Sequence, residues 1–268
     1  MEHEAFIAAI REQSERFIEA LVGVAPDAPV PSCDGWTAAD LLWHVGEVQH
    51  HWARVAAGAA GDAVVPPERP DDDVALRRLV ATSGTELLTA LADRPADAPA
   101  WSWHPDGGTV AWVARRMAHE ALVHRVDAEL TAGLDVRPPS VALAADGVAE
   151  VLAVFVDGVP PWGTFTPDGE IAVVRCTNAP GAWRLDLGRF TGTGPESGRE
   201  LDLDAASVSP VADGDAAARV VGARLDVAGR AWDLDRWLWG RGPDDPLDVT
   251  GDRALLERLR ALLSEATQ

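Results

Sequence analysis

The stretch "HEALVHRVDAEL", His119 to Leu130, sets two histidines, two glutamates, an aspartate and an arginine among apolar residues. It lies in a helix that Thr109 opens as N-cap and Gly133 closes. Glu120 and His124 are four residues apart, so they stand on one face, one turn from each other. Asp127, three beyond His124, shares that face; His119 and Arg125 point elsewhere. A glutamate and a histidine at this spacing can ligate one divalent cation, with Asp127 orienting the His124 ring. The same spacing also describes an ordinary exposed pair, so a site requires a third ligand from elsewhere.

Working outward, three more helices precede this one. Residues 4–22 show helical spacing of Phe6, Ile10, Phe17, Ile18 and Leu21. A Pro-rich loop, "GVAPDAPVPSCDGW", leads to a second helix that Thr37 caps, with Asp40 as capping-box partner and Gly58 as stop. Asp71 to Ala92 forms a third helix, acidic at its N-terminus as the helix dipole favours. Four helices without strands predict a four-helix bundle over residues 1–136, an architecture that builds metal sites from facing helices. Beyond "LDVRPPS" the pattern changes. A helix over 140–156 precedes strand-like runs at 170–176, 182–188, 199–205 and 217–227. A helix at 229–240, a strand and turn in "LDVTGD" and a terminal helix in "RALLERLRALLSEA" follow. Residues 137–268 therefore read as an α+β domain with an antiparallel sheet. The chain shows no internal repeat at the level of sequence.

Composition narrows the function. A net charge of -20 over 268 residues opposes binding to a phosphate backbone and excludes nucleic acid as a partner. The hydrophobic fraction of 47% supports a packed core, yet no run reaches the length of a membrane span. The N-terminus is amphipathic and lacks a signal-peptide core, so a cytoplasmic monomer or homodimer is expected. Cys33 and Cys176 form no CxxC, which removes a disulfide framework and a thiolate zinc site. All cations are arginine, in keeping with a GC-rich, actinobacterial source.

The third ligand must come from the second helix, which offers His44, Glu47, His50 and His51. His44, Glu47 and His51 share a face. His44 sits within the apolar run "LLWHV", where an imidazole needs a partner, whereas His50 and His51 lie in a more polar segment. Spacing alone leaves the choice open.

"GWTAADLLWHV" (35–45) together with "HEALVHRVDAE" (119–129) resembles the N-terminal domain of the mycothiol-dependent maleylpyruvate isomerase family, which is related to DinB-like metal-binding bundles. "LDVAGRAWDLDRWLWGR" and the following "LDVTGDRALLERL" resemble that family's second domain, which is similar to sterol carrier proteins. The resemblance implies a metal held by His44, Glu120 and His124, with Asp127 behind His124. It implies zinc, which two imidazoles and a carboxylate with one open position suit, and mycothiol as cosubstrate. Trp36 and Trp43 are expected to wall the metal pocket.

An open coordination position can bind an external thiol as thiolate. In the isomerase, sulfur adds to a cis-enedioyl acid, the new single bond rotates, and elimination returns the trans isomer. In a mycothiol S-transferase, sulfur stays attached. The substrate class is thus a small anionic or electrophilic molecule. Its cationic clamp is expected at Arg241, in "WLWGR", with Arg230 as runner-up; Trp237 and Trp239 read as packing. A rival reading, from the sterol-carrier-like domain, is a non-catalytic binder of hydrophobic ligands.

Overall fold

The computed structural model describes residues 1–157, 159–160, 162–195, 197–211 and 220–267. The chain divides into two compact units, Met1–Pro138 and Pro139–Gln268.

The first unit holds α1 (His3–Ala20), α2 (Ala38–Ala56), a 3-10 turn (Gly61–Ala63), α3 (Asp73–Ala92) and α4 (Val110–Thr131). The caps read from sequence are present. The Thr37 hydroxyl accepts from the Asp40 amide while the Asp40 carboxylate accepts from the Thr37 amide. The Thr109 hydroxyl accepts from the Trp112 amide, and α3, expected from Asp71, begins at Asp73 with Asp72 as its cap. Gly58 and Gly133, just beyond α2 and α4, take the left-handed conformation that terminates helices at low cost.

α4 is the buried spine of the bundle. From Arg116 to Glu129 its residues are buried, with the exception of Glu120. A helix buried all round must satisfy its polar side chains internally. Arg125 donates to the Glu129 carboxylate at 2.5 Å, to Gln13 Oε1 at 3.1 Å and to the Arg137 carbonyl at 2.6 Å. Arg125 and Glu129 thus form an enclosed ion pair rather than part of a solvated face.

The two helical hairpins share a loop geometry that the sequence reading missed. Before α2, Pro29 bridges Thr37, and the Ala38 and Ala39 amides donate to the Ala28 and Pro26 carbonyls. Before α4, Pro99 bridges Thr109, and the Val110 and Ala111 amides donate to the Ala98 and Ala96 carbonyls. The fragment "DAP" opens both loops, at Asp27–Pro29 and Asp97–Pro99. The repeat lies in backbone hydrogen bonding, and the side chains that follow differ.

The second unit contains α5 (Val141–Glu150), β1 (Gly163–Cys176), β2 (Ala182–Thr193), β3 (Glu200–Pro210), β4 (Leu225–Gly229), α6 (Ala231–Leu238), β5 (Asp248–Gly251) and α7 (Arg253–Ala266). Residues Val151–Val156, expected to extend the preceding α-helix, wind instead as a π-turn. The sheet order is β3-β2-β1-β4-β5. Pairing is antiparallel except between β1 and β4, which run parallel, Ala172 opposite Leu225. That corrects the purely antiparallel expectation. β1, β2 and β3 are consecutive hairpins, so β3 runs with β1, and β4 joins the free edge of β1 in that same direction. Strand alternation carries no information about direction across such a connection. The strand-like run expected at 217–227 is described from 220 onward, with β4 starting at Leu225; residues 217–219 lie outside the described residues. Among the described residues no helix is long and apolar enough to cross a membrane.

The Arg125 pair yields a stability prediction. Arg125→Leu leaves the enclosed Glu129 carboxylate with only Arg16, at 3.6 Å, and the Arg137 amide, and should cost about 3 kcal/mol in urea unfolding. Adding Glu129→Leu should recover most of that loss.

Candidate metal centre

Three elements build the site. α4 supplies Glu120 and His124 from consecutive turns, α2 supplies His44, and the loop before α2 covers them. Among the described residues, His44, Glu120 and His124 are the one group of metal-ligating side chains whose donor atoms all lie within 4.8 Å of one another. Glu120 Oε1 stands 3.0 Å from His124 Nε2 and 3.3 Å from His44 Nε2. Ligands bound at about 2.0–2.1 Å to a tetrahedral ion are separated by about 3.3 Å, so this donor set fits one small divalent cation with a position left over. The His44 side chain is 31 % exposed and that of His124 only 9 %, so the set is approached from the His44 side.

The second nitrogen and oxygen of the ligands are also engaged. His124 Nδ1–H donates to Asp127 Oδ2 at 2.9 Å. This fixes the ring and leaves Nε2 to face Glu120. Glu120 Oε2 accepts from Arg116 at 2.8 Å, which leaves Oε1 toward the histidines. Asp127, fully buried, also accepts from Ser32 Oγ at 2.5 Å and from Cys33 Sγ at 3.7 Å. The tight turn over 30–36 makes this reach possible: the Val30 amide donates to the Trp36 carbonyl, and Gly35 has a positive φ of 78°. Trp36 then stands over the site, 4.9 Å from the His44 ring and stacked 6.5 Å from the His124 ring.

Other side chains considered from sequence make different contacts. Glu47, His50 and His51 are outside the donor cluster; the His51 ring instead contacts Trp52 and Trp101. His119 is buried with its ring edge-on to Phe6. Trp43, like Trp36, packs against the bundle core, and Arg69 lies over its ring. Arg241 belongs to the second unit, where it follows α6 and donates to the Trp239 carbonyl at 2.6 Å. Arg116, Ser32 and the covering role of the loop were missed. The four-residue step from Arg116 to Glu120 was the available signal for the first. Nothing in the local pattern marked Ser32.

Charge in the enclosed site is strongly coupled. Burial alone would lower the His124 pKa, but the Glu120 charge and the hydrogen bonds to Asp127 and Glu120 raise it to about 9. Burial would raise the Glu120 carboxyl, but His124, His44 and Arg116 hold it well below the usual carboxylate range. The metal-free site is thus an imidazolium–carboxylate pair, and a cation must displace the proton on His124 Nε2.

Residues 7–129 match the family described as the mycothiol maleylpyruvate isomerase N-terminal domain. Two crystal structures of the mycothiol-dependent maleylpyruvate isomerase share the fold across nearly the whole chain. That of a histidine-to-alanine mutant is 15% identical with a TM-score of 0.60, and the other is 16% identical with a TM-score of 0.56. Each alignment covers 94% of this chain and 95% of the other. No curated protein matches the chain.

Two outcomes test the centre. Purified without chelator, the protein should hold about one divalent cation per chain. His44→Ala and His124→Ala should lose it and His51→Ala keep it, by metal analysis; the opposite result for the α2 pair would move the third ligand along α2. In chelator, the His124 ring should titrate near 9 by NMR. Because that pKa lies above the unfolded value, its stabilisation is complete below about pH 6.5 and disappears as pH rises through about 9. Urea unfolding of the metal-free protein should show that decline.

Proposed function

We propose that the chain, whose residues 7–129 match the mycothiol maleylpyruvate isomerase N-terminal domain family, is a thiol-dependent metalloenzyme acting on an electron-poor alkene. The observation that carries this reading is the convergence of two imidazoles and one carboxylate, with Glu120 and His124 oriented from behind by Arg116 and Asp127 and the set more exposed on the His44 side. A divalent cation held there, zinc by donor type, would supply the Lewis acidity that keeps a cosubstrate thiol ionised near neutral pH.

The chain's residues do the rest. His44, Glu120 and His124 hold the cation. Asp127 keeps the proton of His124 on Nδ1, and Arg116 holds the second oxygen of Glu120. Trp36 shields one side from water, which strengthens the charge interactions beneath it. The sulfur comes from mycothiol as cosubstrate, not from the protein. Of the two cysteines, Cys176 has its thiol pKa pushed up to about 11, chiefly by burial and further by Asp235, so it stays protonated. Cys33 directs its sulfur at the Asp127 carboxylate.

In the isomerisation, the cosubstrate's sulfur adds to one alkene carbon of a maleylpyruvate-like acid. The electron pair moves onto the adjacent carbonyl system, the single bond rotates, and elimination restores the alkene and the free thiol. Arg241, carried over from the family resemblance, is proposed to clamp the substrate carboxylate. Stopping after addition would make the same chemistry an S-transfer. A second reading has its own observation. A cavity of about 280 Å³ in the second unit is lined by Phe155, Trp162, Phe190, Leu201, Leu203 and Leu262, and would suit a small hydrophobic ligand.

The test is a screen of activated alkenes with and without mycothiol, read by mass and by isomer composition. The reading expects turnover only with thiol and metal present, and continued thiol-dependent turnover in the double variant Cys33→Ser, Cys176→Ser, in which a serine at position 33 keeps a hydroxyl donor for Asp127. Loss of activity in that variant would contradict an external thiol. Tight binding of an acyl probe, without any thiol-dependent turnover, would favour the hydrophobic-ligand reading.

A further inference from the structure

α2 and α4 run antiparallel against each other. His44 meets Glu120 at one level, and Trp52 meets Trp112, ring centroids 5.7 Å apart, at another. Each pair of levels is eight residues apart along its helix, or about 12 Å. Arg116, four residues from both Trp112 and Glu120, lies midway. The second level carries an aromatic group that the metal centre does not use. Trp101 and Trp103, from the loop before α4, join Trp52 and Trp112 there, with His51 and His104 at the margins.

This group departs from ordinary core packing in two respects. Trp101 and Trp103 are 37% and 51% exposed, although burying an indole is among the largest single gains available to a core. Their loop is nonetheless well braced. The His104 amide donates to Ser102 Oγ at 3.0 Å, and the Asp106 amide donates to His104 Nδ1 at 3.2 Å. The Trp101 ring also lies so close to Gly61 that a Cβ there would stand 2.3 Å from it. Partly exposed indoles fixed by their surroundings form a preorganised stacking surface.

The loop repeat adds a second argument. The first loop, before α2, places Trp36 over the ligand histidines. The second, of matching backbone pattern, places Trp101 and Trp103 at the other level of the same helix pair. One level carries metal-ligating chemistry and the other carries aromatic faces flanked by imidazoles. Indole faces are electron-rich and attract the axial C–H groups of a sugar ring, while the imidazoles can bond its hydroxyls.

We propose that Trp101 and Trp103 form the subsite for the sugar rings of the thiol cosubstrate. This rests on the thiol-dependent reading above. Mycothiol is an acylated cysteine joined to two linked six-membered rings, and its length, roughly that of three to four extended residues, matches the separation of the two levels. The sulfur would lie at the ligand set and the rings would stack on the indoles.

Calorimetric titration of the zinc-loaded protein with mycothiol and with N-acetylcysteine tests this. Wild type should bind mycothiol more tightly than N-acetylcysteine. Trp101→Ala and Trp103→Ala should weaken mycothiol binding about tenfold, leave N-acetylcysteine binding unchanged and retain the metal. Trp103→Phe, which keeps an aromatic face, should recover most of the loss. Glucosaminyl-inositol without the cysteine should compete with mycothiol in wild type and fail to do so in the alanine variants. Unchanged mycothiol affinity in both alanine variants, or equal weakening of both thiols, would overturn the subsite while leaving the thiol-dependent reading intact. Absence of binding by either thiol to wild type would instead remove that reading and the subsite with it.

Discussion

The candidate centre hangs on one buried carboxylate. Asp127 has no exposure, and a charge in that position is tolerated only when its oxygens are occupied. One oxygen takes the Ser32 hydroxyl, and the other takes the His124 ring and the Cys33 thiol. Those bonds fix three things together: the tautomer of His124, the turn before α2, and through that turn the indole of Trp36 above the candidate site. Removing the charge would free the His124 ring and the loop that covers it.

α4 illustrates how a bundle accommodates such a centre. The helix is buried around its circumference, and its polar residues divide between two tasks. Arg125 and Glu129 neutralise each other against Gln13 and the Arg137 carbonyl, away from the ligands. Arg116, Glu120, His124 and Asp127 form the other stripe. Each ligand in that stripe is held by a second group on the same helix, Glu120 by Arg116 and His124 by Asp127, so helical spacing alone preorganises half the site. Only His44 must be delivered by tertiary packing.

That division explains what was legible in the sequence. Thr37, Thr109, Gly58 and Gly133 bound helices through local chemistry, so α2 and α4 could be read without tertiary information. The Glu120–His124–Asp127 stripe follows from helical spacing, since all three residues share one element. Spacing left four candidates on α2, and only the apolar setting of His44 and the family resemblance singled it out, because choosing among them by pattern requires the rotation of one helix against another. Ser32 was hidden in a stretch that reads as a Pro-rich connection, and the turn that aims it, together with Trp36, is a matter of backbone bonding. The shared geometry of the two loops was hidden for the same reason. In the second unit, the parallel β1–β4 pair and the π-turn over 151–156 depend on tertiary context that periodicity does not encode.

The central claim is that His44, Glu120 and His124 hold a cation with a position left for an external sulfur. X-ray absorption at the zinc edge tests it most directly, on the loaded protein before and after addition of mycothiol. The account predicts a nitrogen and oxygen shell with two imidazoles at first, then a single sulfur neighbour at about 2.3 Å once thiol is added. A zinc environment that gains no sulfur in saturating thiol would contradict it.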